Sequence, residues 1–98
     1  MPTVRVAINR AQAALATLTA RGEAIDDEWQ YVTDLEAAWR ARLEEVAAAR
    51  GGESLAPEAE SAVDRLTAEA ASIEDPHRAI DWMSTLPQAV LLALGEPA

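Results

Sequence analysis

Val4, Ile8, Ala11, Leu15 and Leu18 are separated by steps of four, three, four and three residues. An α-helix gathers residues at that spacing onto one side, whereas a strand would scatter them over both faces. The same rhythm returns in Trp29, Val32, Leu35, Trp39, Leu43 and Val46, and again in Ala59, Ala62, Val63, Leu66, Ala70 and Ile73. Strands have almost no support in the pattern. The expected fold class is therefore all-α, a small helical bundle.

Capping residues and breakers divide the chain. The first helix is expected over about 3–21, stopped by Gly22 in the left-handed conformation that glycine adopts without steric cost. The second is expected over 26–50, with Asp26 as cap, Asp27 and Glu28 on the positive end of the helix dipole, and Gly51-Gly52 as the stop. Residues 51–56 read as a loop, and Pro57 fits the first turn of a third helix over 57–74. Asp75 and Pro76 open a fourth over 76–84. Pro87 should end it near Ser84–Leu86, since proline lacks a donor and disfavours helical geometry in the residue before it. Thr85 with Gln88 then reads as a new capping box, opening a fifth helix over 86–94 that stops at Gly95. Long helices joined by short glycine loops pack antiparallel, so 1–98 is expected to be one domain.

Composition sets the limits on function. Half the residues are apolar, but many are alanine, which favours helix and adds little burial. The net charge is −9 and every basic residue is an arginine. Such a surface repels phosphate backbones and anionic lipid, and the eight arginines form no concentrated patch, so direct nucleic-acid binding is not expected. Cysteine is absent, which removes disulfides, thiol nucleophiles and thiolate metal sites. No apolar run approaches the roughly 20 residues that span a bilayer, and the N-terminus lacks a signal-peptide pattern. A cytoplasmic location is the expectation.

Few residues suggest chemistry. The single histidine, His77, has no serine–acid partnership in a recognisable motif and reads as a surface residue beside a cap. Glu36 falls inside the apolar stripe of the second helix, so it is a candidate buried carboxylate needing a partner. The stretch "LEEVAA" faintly resembles part of the acidic pattern of MazG-type nucleotide pyrophosphohydrolases. That resemblance implies magnesium held by Glu36, Glu44, Glu45, Glu60 and Asp64 on adjacent helices. The tight pairing of acidic motifs in that family is missing, and no lysine is present for phosphates. The tryptophans are followed two residues later by Tyr31, Ala41 and Ser84, so the Trp-x-Gly turn of WXG-type secreted proteins is absent. Trp29 and Trp39 are expected in the core. With no phosphate loop, nucleophile elbow or zinc spacing, no enzyme, cofactor or metal site is expected.

The apolar segment 76–95 poses the remaining question. Centred on Val90, the inner face takes Leu86, Ala93 and Leu94, while Leu91 and Leu92 point elsewhere and Trp82 lies opposite Ile80 and Met83. Such a surplus on a short terminal element suggests a surface that meets another chain. Arg78, Trp82, Leu91 and Leu92 are the expected interface. The functional expectation is a non-catalytic interaction module, self-associating as a homodimer or docking on a larger protein. Two alternatives are an acidic mimic of nucleic acid that inhibits a basic protein, and the magnesium-dependent hydrolase.

Overall fold

The computed structural model describes residues 2–97, and the all-α expectation holds. Four α-helices, α1 (Val4–Gly22), α2 (Trp29–Arg50), α3 (Pro57–Ala71) and α4 (Pro76–Ala93), run up, down, up and down, with a 3₁₀ turn at Asp26–Glu28 before α2. Among the described residues the one β-type contact is an isolated bridge between Thr3 and Ser54. Helices α1 and α4 form the centre, and α2 and α3 pack on both of them rather than on each other. The cross-section is thus a diamond with α1 and α4 on its short diagonal, 41 Å along the molecule's longest axis.

The stripe of α1 is wholly buried: Val4, Ile8, Ala11, Leu15 and Leu18 face α4 and its neighbours. Val63, Leu66 and Ala70 of α3 and Val32, Leu43 and Val46 of α2 close the core from the two sides. Thr19 is the one buried polar residue among those described, and its hydroxyl donates to the Leu15 carbonyl at 2.8 Å.

Three local expectations are corrected. Gly22 does not adopt a left-handed conformation; only Gly95 does, with φ of 83°. Gly22 is required because α4 comes so close: a Cβ there would lie 2.8 Å from Ile80 Cγ1. Asp26 makes no capping bond, because it begins a 3₁₀ turn rather than the α-helix itself. The fourth and fifth expected helices are one, continuous from Pro76 through Pro87 to Ala93.

Pro87 forgoes the bond to the Met83 carbonyl, an interruption that ordinarily costs about 3 kcal/mol in a helix interior. Its ring lies fully buried, and Leu86, Val90, Leu91 and Leu94 are buried around it. Burial of a single such side chain contributes about 1.5–3 kcal/mol, so the combined packing outweighs the lost bond. Thr85 donates to the Asp81 carbonyl at 3.2 Å, behaving as a mid-helix threonine and not as a cap. The expected stop is met at Gly95, where the Glu96 N–H bonds the Leu91 carbonyl at 2.9 Å and the Gly95 N–H bonds Leu92 at 3.0 Å. Those paired bonds are a Schellman termination. Asp75 caps α4 through the His77 N–H.

Candidate functional site: an acidic pole bearing exposed aromatic side chains

The expected C-terminal interface is largely absorbed by the fold. Leu91 is 2% exposed and belongs to the core. The reason is that α4 is a long central helix touching α1, α2 and α3, so its buried face is wider than a terminal cap would need. Trp82 is half-buried and packs on the core. Arg78 and Leu92 remain outside, on a face otherwise made of Asp81, Thr85 and Gln88. One leucine among polar neighbours is an ordinary surface feature.

The candidate carboxylates do not converge. Glu44 takes both nitrogen donors within reach, Arg5 at 3.0 Å and Gln12 at 3.0 Å. Those bonds, Gln12's first and then Arg5's, hold its carboxyl below the usual carboxylate range. Asp64 pairs with Arg10, Glu45 with Arg42 at 3.7 Å, and Glu36 with Arg40 at 3.5 Å. Glu36 is only partly buried, at the edge of the α2 stripe. Among the described residues no three carboxylate or imidazole groups are placed to hold a metal ion.

These pairings divide the molecule into two poles. At one pole α1 begins, α2 ends and α4 ends. There the loop carbonyls of Glu53 and Gly51 accept the Val4 and Arg5 N–H groups at 2.9 and 3.0 Å, satisfying donors at the open start of α1. Arg50 bonds the Leu94 carbonyl at 2.8 Å, Glu96 at 2.7 Å and Glu53 at 3.2 Å. The Glu96 bond, reinforced by Glu53, raises the Arg50 guanidinium above even the usual arginine range. Arg42 reaches the same Glu96 at 3.5 Å.

At the other pole, Gly22 of α1 lies against Val32 of α2 and Ile80 of α4, and Arg21 donates to the Ala71 and Ile73 carbonyls at the end of α3. Here gather Glu23, Asp26, Asp27, Glu28 and Asp34 from the α1–α2 side, and Glu69, Glu74, Asp75 and Asp81 from the α3–α4 side. None of these nine is in an ion pair among the described residues. Two arginines share the region, Arg21, engaged with carbonyls, and Arg78.

This pole also carries the two largest exposed side chains. Trp29 is 49% exposed and Tyr31 55%. The expectation that Trp29 joins the core is corrected: the first buried residue of α2 is Val32, and Trp29 lies at the edge of the α2 apolar stripe, turned from its centre. Trp39 does pack against the core, with its indole N–H donating to Ser84 Oγ at 3.2 Å. Tryptophan and tyrosine are the side chains most enriched at the centres of protein interfaces in general. The signal in sequence was "DDEWQY", in which the acidic run and both aromatic residues stand together.

The fold and pole define a small acidic four-helix bundle. No protein-family model, no curated protein and no solved structure matches the chain. No helix among the described residues is long and apolar enough to cross a membrane.

Proposed function

We propose that this chain is a non-catalytic protein–protein interaction module that docks a basic protein segment on its acidic pole. The observation that carries the reading is the coincidence of half-exposed Trp29 and Tyr31 with nine carboxylates lacking an ion-pair partner among the described residues. The carboxylates supply long-range attraction and orientation. The two rings supply apolar area that becomes dry only when a partner covers it. Arginine and lysine side chains suit both, since their stems lie on aromatic faces while their heads pair with carboxylates.

A nucleic-acid mimic would favour a row of carboxylates along the 41 Å length of the bundle. Nine of the eleven carboxylates without an ion pair among the described residues instead gather at one end, Glu58 and Glu60 at the start of α3 being the other two, which favours a compact basic segment over a long cleft. The deciding experiment compares three baits: the native chain, Trp29→Ala/Tyr31→Ala, and Leu92→Gln. A partner retained by the native chain and Leu92→Gln, lost from the aromatic double variant, and released by moderate salt supports the reading. Equal retention by all three baits sinks it.

A further inference from the structure

Helix α3 ends against its own electrostatics. Its last turn contains Glu69 and no basic residue, and Glu74 and Asp75 follow before α4 begins. Carboxylates in that position face the negative end of the helix dipole. None of residues 72–75 is a glycine that could close the helix as Gly95 closes α4. Three of the last four carbonyls of α3 are met locally. The Ser72 N–H bonds Ala68 at 3.3 Å and Glu69 at 3.1 Å, and the Ile73 N–H bonds Ala70 at 3.2 Å. The fourth is met from another helix. Arg21, in the last turn of α1, donates to the Ala71 carbonyl at 3.1 Å and also to the Ile73 carbonyl just beyond.

We propose that Arg21 is a positioning residue of the acidic pole, holding the acidic turn 72–75 beside the acidic turn 23–28 so that a basic partner meets one surface. The proposal rests on the pole being a binding surface. Three observations select Arg21 for the role. It joins segments 50 and 52 positions apart in the chain, the end of α1 and the end of α3. Its base is firm, because the next residue, Gly22, lies against Val32 of α2 and Ile80 of α4. Its donors go to carbonyls and to no carboxylate among the described residues, so it holds the turn without neutralising the acidic groups around it.

The charge of Arg21 and its clamping role predict opposite effects. As a charge alone, a cation among carboxylates repels a basic partner, and its removal would tighten binding. As a clamp, its removal frees the 72–75 turn, and binding weakens although the pole becomes more negative.

The test is titration of an arginine-rich peptide at low salt into the native chain, Arg21→Met, Arg21→Lys and Arg78→Met, each checked for helical circular dichroism. Methionine keeps an apolar stem and removes the donors, while lysine keeps the charge on a shorter, more strongly hydrated head. Arg21→Met should weaken binding about fivefold, Arg21→Lys by less, and Arg78→Met should not weaken it. The chain lacks cysteine, so spin labels on Ala24→Cys and His77→Cys, both exposed and beside the two turns, report the separation of those turns. The distance distribution should be narrow in the native chain and broaden in Arg21→Met. Equal or tighter peptide binding by folded Arg21→Met overturns the proposal and leaves the pole standing, and so does an unchanged distance distribution. Should Arg21→Met fail to fold, an Arg21→Lys variant with native affinity and native distances overturns it. A native chain that does not take the peptide overturns the reading of the pole and the proposal together.

Discussion

The two ends of this bundle carry the same residue types and use them differently. At the end where α4 terminates, arginine is matched with carboxylate: Arg50 with Glu96 and Glu53, Arg42 with Glu96 and Arg5 with Glu44. Leucines there are buried beside those pairs. At the end where α2 begins, carboxylates outnumber arginines, and a tryptophan and a tyrosine stand half in water. The contrast teaches that a net charge of −9 is not spread evenly. Five of the eight arginines make ion pairs; Arg5–Glu44, Arg10–Asp64, Arg42–Glu96 and Arg50–Glu96 tie different parts of the chain together, while Arg40–Glu36 and Arg42–Glu45 lie within α2. Nine of the eleven carboxylates left without an ion pair among the described residues lie at the second end.

The sharpest way to break that contrast is inside the C-terminal run itself. Leu91→Ala should destabilise the fold by about 2–5 kcal/mol, as a buried leucine truncation does. Leu92→Ala, one residue on, should change stability by less than about 0.5 kcal/mol. Chemical denaturation of both variants measures the difference. Similar losses at the two sites would mean that Leu92 is covered in solution.

The next effect compares one arginine from each end. Arg50→Ala removes the donor shared by the Leu94 carbonyl and Glu96, and should cost about 1–2 kcal/mol. Arg78→Ala should be close to neutral, since Arg78 makes no ion pair among the described residues. Thermal unfolding of the pair is sufficient. Equal shifts would remove the distinction between a locked and an open end.

Acid should also reach the locked end. The folded Glu44 carboxyl is depressed by Gln12 and Arg5, so its contribution is present above the unfolded value of about 4.3 and is lost as pH falls through the lower folded value. Glu44→Gln should therefore be less destabilised than the native chain on passing from pH 5 to pH 2. The effect is small because the group is exposed, and it vanishes between pH 5 and pH 8. An acid titration followed by circular dichroism checks both halves.

Smallest of all, Trp29→Ala and Tyr31→Ala should each change stability by less than about 0.5 kcal/mol. A larger loss from Trp29 would place it in a structural role and weaken its assignment to binding.

The helical class, the α1 stripe, the loop at 51–56, the Asp75 cap and the Gly95 stop were all legible, because each depends on neighbours close in sequence. Helix α4 was not legible as one piece. The local penalty at Pro87 points to a break, and only tertiary burial of the ring and the leucines around it offsets that penalty. Leu91 was misjudged for the same reason, since the width of a buried face depends on how many helices touch it. The acidic aromatic stretch could be seen in "DDEWQY", but its isolation could not. That required knowing that Arg5 and Arg10 reach across to Glu44 and Asp64, 39 and 54 positions away in the chain.

The most direct test of the central claim is a nuclear magnetic resonance titration of the isotopically labelled chain with an arginine-rich peptide at low salt. The account predicts shifts confined to residues 23–34 and 69–81, including the Trp29 indole N–H, and reversal by added salt. Shifts spread evenly over all carboxylates, or centred on the Arg50–Glu96 end, would contradict it.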